Sequence, residues 1–176
     1  MTEVEEGRRT ALPARGGALF LIGMRVNRWW RPGRWLWILP AMGAMQRELA
    51  AERGRGLLHS RTLMGQGGIT VVQYWRDADA VIDYAHDRLH RAAWLRYYRR
   101  AAQGGAVGIW HETYRLGTAP HEAVYVNMPA FGLGAATGTA AVTPATRQAA
   151  DRLRASVPGA DGGASGAPST SARAGG

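Results

Sequence analysis

The 176-residue sequence contains no cysteine and no lysine, and all 22 of its basic residues are arginine. Without thiols it forms no disulfide, thiolate zinc site, iron–sulfur cluster or cysteine nucleophile. Without lysine it has neither Schiff-base chemistry nor a Walker-type phosphate loop. Ser60 is the only serine before residue 156, and no serine lies in a G-x-S-x-G pattern. The reactive inventory is therefore histidine, carboxylates and aromatic rings.

Long apolar runs and targeting signals are also lacking. The longest apolar run, residues 35–45, has 11 residues, whereas a membrane-spanning helix needs about 20. Residues 1–16 are polar, with early acids, and do not resemble a signal peptide. We therefore expect a cytoplasmic protein without a membrane span.

The net charge of +9 arises mainly in the middle of the chain, where residues 17–128 carry 15 arginines against 8 acids. Such a balance is typical of nucleic-acid binding, but no zinc-finger pattern, RNP motif or arginine run accompanies it. We expect an anion-attracting surface and no nucleic-acid partner.

Composition divides the chain into three parts. Residues 1–16 form a polar segment, which we predict to be a flexible arm, and residues 17–134 are rich in apolar and aromatic side chains. From residue 135 to 176 the chain consists largely of small residues, which bury too little surface to offset the entropy of ordering. The sequence thus predicts one folded domain over 17–134 and a largely disordered tail over 135–176.

Periodicity within this body predicts strands at 18–26, 57–64, 69–75, 106–116 and 122–127, and helices near 39–49 and 77–102. Asp77 is placed to cap the second helix. The order β-α-β-β-α-β-β is a ferredoxin-like α+β pattern with an extra strand. Because the strands are apolar on both faces, we expect a homodimer in which the sheets pack against each other.

Two histidines lie on one face of the second predicted helix, since His86 and His90 are four residues apart. The glutamate of an H-E-x-x-H motif and a third ligand are missing, so we expect no metal site. A single helical histidine is enough to hold haem iron. His90, followed by Trp94, is therefore either a haem ligand or a histidine packed on tryptophan.

The segment around His111 alternates between the two faces of a strand. His111 points to one face, while Trp110, Glu112 and Tyr114 point to the other. If Glu112 faces an aromatic lumen, burial would raise its pKa and make it a proton acceptor. If it faces arginine, it forms a structural ion pair, and both alternatives stay open.

Four segments carry a resemblance to a known family: FLIGMRVNRWW (20–30), residues 73–94, GAVGIWHETY (105–114) and YVNMPAFGLG (125–134). They resemble an uncharacterised bacterial family, labelled monooxygenase-like, of the dimeric α/β-barrel superfamily. The resemblance implies a ferredoxin-like subunit that pairs into a barrel, with a pocket between sheet and helices. Some members of this superfamily are cofactor-free monooxygenases, and others bind haem through a helical histidine.

The function that follows is a monooxygenase-type oxidoreductase acting on a small hydrophobic or aromatic substrate. We expect His111 or Glu112 to move protons with Tyr114 nearby, Arg25 to hold an anionic group, and the substrate to lie among Asn27, Trp75, Trp94 and Trp110. Under this monooxygenase hypothesis, the protein needs no cofactor. Two alternatives remain: a haem enzyme, oxygenase or aldoxime-dehydratase-like, with His90 as axial ligand, and a non-catalytic dimer that binds a small molecule.

Overall fold

The computed structural model describes residues 3–14, 16–65, 67–100, 103–117 and 119–156. The strands and helices follow one another as β1 (Glu5–Ala11), β2 (Ala18–Val26), α1 (Pro32–Trp35), α2 (Ile38–Ala51), β3 (Leu57–Gly65), β4 (Gly68–Trp75), α3 (Ala78–Ala85), α4 (Arg88–Arg100), β5 (Val107–Arg115), β6 (Val124–Met128), α5 (Leu133–Thr137), β7 (Thr139–Ala141) and α6 (Ala149–Ala155). Within these described ranges, no helix is long and apolar enough to cross a bilayer.

The larger sheet has four strands in the order β3-β4-β2-β5, and each neighbouring pair is antiparallel. β2 occupies a central position because it is apolar on both faces and pairs along its length with β4 and β5. Helices α2, α3 and α4 cover one face of this sheet. The predicted ferredoxin-like α+β fold is confirmed; β3 and β4 form a hairpin, and Pro40 lies in the first turn of α2.

The single helix predicted over 77–102 is two helices. Asp77 caps the first as expected, because its side chain accepts a hydrogen bond from Ala80 N. The chain then breaks between α3 and α4, where the Asp87 carbonyl accepts the Arg91 N–H and starts the second helix. The Asp87 carboxylate also lies 2.7 Å from the guanidinium of Arg55. This ion pair comes from a segment distant in sequence, so periodicity along the helix could not indicate it.

A smaller sheet joins both ends of the described chain in the order β6-β1-β7. Its central strand lies within the predicted flexible arm, and β7 and α6 lie within the predicted disordered tail. Residues 5–11 and 139–141 are nevertheless strands, because pairing with distant strands satisfies their backbone groups, and residues 149–155 form helix α6. Residues 157–176 lie outside the described part, and the division into domains stays a prediction.

The buried apolar residues form two clusters rather than one. The first includes Leu49, Trp75 and Tyr84, and the second includes Met24 and Ile38. Both clusters lie between the large sheet and its helices, and both contribute side chains to a cavity on this side of the sheet. The two apolar clusters therefore line a cavity instead of packing against each other throughout.

Candidate functional site

A cavity of about 420 Å³ lies between the helix-facing side of the large sheet and helices α2, α3 and α4. This volume is within the range of ordinary small-molecule sites, about 300–1,000 Å³. Most of its lining is apolar, from phenylalanine, isoleucine, methionine and alanine. Apart from three tryptophans, the hydrogen-bonding and titratable side chains of the lining are Gln46, Gln73, Tyr84, His90, Arg91, Tyr97, His111 and Thr113.

His111 enters the cavity from β5. It is paired with Ile22 of β2, and its ring centre lies 5.9 Å from that of Phe20, while part of its side chain stays exposed to solvent. No described residue donates a hydrogen bond to its ring or accepts one from it. Both ring nitrogens are therefore available to a molecule in the cavity, which is the geometry that proton transfer requires.

His90 faces the cavity from α4, but both of its ring nitrogens have partners. Trp94 Nε1, which can only donate, lies 3.0 Å from His90 Nε2. Nε2 is therefore the acceptor, and Nδ1 carries the proton and donates to the Ala85 carbonyl at 2.9 Å. Burial is the largest cause of a lowered His90 pKa, and the charge of His111 lowers it further. His90 is consequently a neutral, oriented imidazole.

Gln73 and Trp75 form a buried polar pair in the wall of the cavity. The Trp75 indole Nε1 donates to Gln73 Oε1 at 3.1 Å, and the two residues are only 1% and 2% exposed. Within the described chain, the Gln73 amide nitrogen has no hydrogen-bond partner. Trp75 was expected here from the sequence, whereas Gln73 was missed. An isolated polar residue in an apolar strand was the signal that could have revealed it.

A charged cluster lies beside Tyr84, which lines the cavity. The Tyr84 hydroxyl donates to Glu48 Oε2 at 3.3 Å, and Arg55 contacts Glu52 and Asp87 at 2.6 and 2.7 Å. Burial, followed by the negative charge of Glu48, raises the pKa of Tyr84. Hydrogen bonds to Glu52 and Asp87 raise the pKa of Arg55. Tyr84 is therefore held as a neutral phenol that anchors helix α3 to α2.

Three candidate residues lie on the opposite face of the sheet. Trp110, Glu112 and Tyr114 alternate with His111 along β5, so they point away from the cavity. The Tyr114 hydroxyl donates to Glu112 Oε2 at 2.8 Å, and this hydrogen bond raises the pKa of Tyr114. The alternation predicted along β5 therefore holds, and Trp110, Glu112 and Tyr114, which were expected to line the substrate pocket, lie outside the cavity that His111 lines. Strand alternation separates them, and the helices cover the His111 face.

Two further candidates also lie outside the cavity. Arg25 is exposed on the Trp110 face, opposite Gly108. Asn27 follows β2, and its side-chain Nδ2 donates to the Gly105 carbonyl at 3.1 Å. Asn27 thus ties the end of β2 to the start of β5 instead of contacting a ligand in the cavity. Of the substrate-binding candidates, Trp75 and Trp94 line the cavity.

The residues present do not fit a haem. His90 Nε2 accepts a hydrogen bond from the Trp94 indole, and Nδ1 of the same ring donates to the Ala85 carbonyl, so neither nitrogen is available to a haem iron. His111 lies on a strand and has no carbonyl to orient it. Within the described ranges, no group of three or more histidine, aspartate or glutamate side chains is arranged to hold a metal ion.

Together the sheet, the helices and the cavity define a ferredoxin-like α+β protein with a largely apolar cavity whose volume is that of a small-molecule site. The chain belongs to the monooxygenase af470-like family, whose model matches residues 18–133. The resemblance stated from the sequence is confirmed. A monooxygenase af470 from Aspergillus fumigatus is 31% identical over 97 residues, which are 52% of this chain and 34% of that protein. The match therefore spans about a third of the length of this relative.

Solved structures share the architecture at low sequence identity. An aldoxime dehydratase in complex with butyraldoxime has a TM-score of 0.58 and 16% identity, over 76% of this chain and 39% of that chain. This similarity shows the fold alone. A cofactor-independent oxygenase from Streptomyces nogalater has a TM-score of 0.42 and 11% identity, over 56% of this chain and 91% of that chain.

Proposed function

We propose that this chain is a monooxygenase-type oxidoreductase that acts on a small hydrophobic or aromatic substrate, with His111 as the group that moves the proton. The observation that carries the proposal is an apolar cavity into which one histidine without a protein hydrogen-bond partner projects. Membership of the monooxygenase af470-like family supports the same class of reaction. The apolar lining favours a substrate that binds by burial of rings and alkyl groups.

The proposed reaction converts a methylene between aromatic rings into a ketone and needs no external reductant. His111 accepts one proton from the methylene, and the resulting carbanion donates its electrons to dioxygen. Protonation of the adduct gives a hydroperoxide, whose O–O bond breaks as the second C–H proton is removed. One oxygen atom stays in the ketone and the other leaves as water. The four electrons lost by the carbon equal the four gained by dioxygen.

Other cavity residues position the substrate in this scheme. The Gln73 amide nitrogen is available to donate a hydrogen bond to a phenolic or carbonyl oxygen. Trp75 and Trp94 offer flat apolar surfaces on which an aromatic ring can stack. His90 is already bonded through both nitrogens, so its role is to orient Trp94 rather than to transfer a proton.

Oxygen uptake tests the proposal. The purified chain is incubated with a panel of anthrone-like and quinol compounds, and uptake is followed with an oxygen electrode. The expected result is uptake with an anthrone-like compound that yields one ketone per dioxygen. With ¹⁸O₂, one labelled oxygen should enter the product. Binding of these compounds without any oxygen uptake would instead support the non-catalytic binding protein.

A haemin titration tests the alternative in which the protein is a haem enzyme with His90 as the axial ligand. Because His90 Nε2 accepts from Trp94, we expect the absorption spectrum of added haemin to remain that of free haemin. A Soret band that appears with the protein and disappears in His90→Ala would establish the haem enzyme and overturn the cofactor-free proposal.

The proposed assembly is a homodimer formed through the Trp110 face of the large sheet. On this face Trp110 is 39% and Tyr114 is 51% exposed in the single chain, which favours a protein contact. Light scattering at micromolar protein concentration should give twice the chain mass. A monomeric mass would contradict the proposal, whereas a dimer that Trp110→Glu dissociates would support this face.

A further inference from the structure

An arginine- and tryptophan-rich surface lies at one end of the large sheet. It consists of the segment 28–36, which follows β2, and the last part of α4, residues 95–100. The two segments are joined by a hydrogen bond of 2.8 Å from the Arg34 guanidinium to the Arg100 carbonyl. Nearby, the Arg96 guanidinium lies 4.5 Å from the centre of the Trp37 ring. We call residues 28–36 and 95–100 the Arg–Trp surface.

The charge of this surface is uncompensated. No aspartate or glutamate occurs in residues 25–47 or 88–100, although these segments contain ten of the arginines. Among the ion pairs that the described ranges contain, none involves an arginine of the Arg–Trp surface. The arginines therefore do not stabilise the fold through pairing, and their potential extends into the solvent.

The same surface exposes large apolar side chains. Trp30 is 72% and Trp29 is 55% exposed, and the nearby Leu36 and Leu95 are each 53% exposed. Trp29 contacts Trp35 edge-to-face, whereas Trp30 makes no ring contact with another described residue. Exposed apolar groups of this size next to one another mark an interaction surface.

We propose that the Arg–Trp surface binds the face of an anionic phospholipid bilayer. Tryptophan favours the headgroup region, where its ring is half buried and its N–H finds a polar partner. Arginine pairs with lipid phosphates, and each basic side chain near an anionic surface adds to the affinity. The exposed leucines distinguish this partner from nucleic acid, because aliphatic side chains insert among acyl chains but do not stack on bases.

The position of this surface connects it with the cavity. Trp94 and Tyr97 of α4 line the cavity, while Leu95 and Tyr98 of the same helix are exposed. Trp37 likewise lines the cavity directly after segment 28–36. A bilayer bound here would lie beside the helices that enclose the cavity, where an apolar ligand dissolved in lipid can reach it. Lipid binding does not depend on which reaction the cavity supports.

Vesicle co-sedimentation tests the proposal with the full chain. Vesicles of phosphatidylcholine are compared with vesicles that also contain phosphatidylglycerol, at low and at high salt. The variants are Trp30→Ser and Arg31→Gln, both at exposed positions. The charge-matched control is Arg53→Gln, which precedes Leu57 at the opposite end of the large sheet. Circular dichroism verifies that each variant is folded.

We expect binding only to the vesicles that contain phosphatidylglycerol, weakened by salt. Arg31→Gln should lower the partition coefficient about fivefold, Trp30→Ser should lower it further, and Arg53→Gln should leave it unchanged. Equal binding by Arg31→Gln and Arg53→Gln, or no binding to anionic vesicles, would overturn the proposal. So would a short DNA duplex that displaces the protein from the vesicles, since it would assign the surface to nucleic acid.

Discussion

The hydrogen bond between Trp75 and Gln73 allows the packing of the cavity wall to be tested quantitatively. The substitution Gln73→Leu keeps the side-chain volume but removes the only acceptor that Trp75 Nε1 has within the described chain. Because Trp75 is 1% exposed, water cannot replace that acceptor. A buried donor left without a partner costs about 1–3 kcal/mol of the free energy of unfolding. For a chain of this size the melting temperature falls by roughly 2–4 °C per kcal/mol.

A double-mutant cycle isolates the contribution of this bond. Gln73→Leu, Trp75→Phe and the double variant are unfolded in urea, and the coupling free energy is taken from the four unfolding curves. Trp75→Phe alone also removes apolar contacts, but that loss cancels in the cycle. We expect a coupling of about 1 kcal/mol. A coupling below about 0.3 kcal/mol would mean that the two side chains act independently, and would refute this geometry.

Two other predictions follow from the cavity and the sheet. Burial lowers the pKa of His90 in the folded chain, so below about pH 6.5 the unfolded chain binds more protons, and stability is lost as the pH falls. The free energy of unfolding is measured in urea at neutral and at acidic pH. His90→Gln should remove part of the destabilisation at acidic pH, whereas His86→Gln, at an exposed position, should not. Equal destabilisation of the two variants at acidic pH would contradict the burial of His90. A Cβ on Gly23 would lie 2.5 Å from Trp110 Nε1, whereas one on Gly33 meets nothing within 4 Å. Gly23→Ala should therefore lower the free energy of unfolding by about 1–3 kcal/mol. If thermal melting shows Gly23→Ala to be as stable as Gly33→Ala, the contact with Trp110 is disproved.

Local signals in the sequence were sufficient for the strands of the large sheet and for the start of α3. The apolar run of β2, the glycines between β3 and β4, and Asp77 before α3 each act within a few residues. The smaller sheet depends on contacts of another kind. Strand β1 pairs Glu5 with Met128, more than a hundred positions away. No periodicity in a polar, seven-residue strand indicates such a partner.

The candidate site was only partly accessible from the sequence. Alternation along β5 correctly separated His111 from Glu112, but both faces of the sheet are apolar, so the sequence alone did not decide which face the helices cover. Gln73 was missed because a polar residue in a strand is usually solvent-facing, and here only tertiary packing buries it. The hydrogen bond from His90 to the Ala85 carbonyl likewise depends on the break between α3 and α4, which a contact with Arg55 stabilises.

The most direct test of the central claim, that the chemistry takes place on the helix-facing side of the sheet, compares two neighbouring residues on β5. The turnover number for oxygen uptake is measured for His111→Gln and Glu112→Gln, with the substrate that the panel identifies. Loss of a general base lowers the rate about 100-fold or more, so His111→Gln should show that loss, while Glu112→Gln should stay near the unsubstituted chain. A fully active His111→Gln, or a loss confined to Glu112→Gln, would contradict the proposed site.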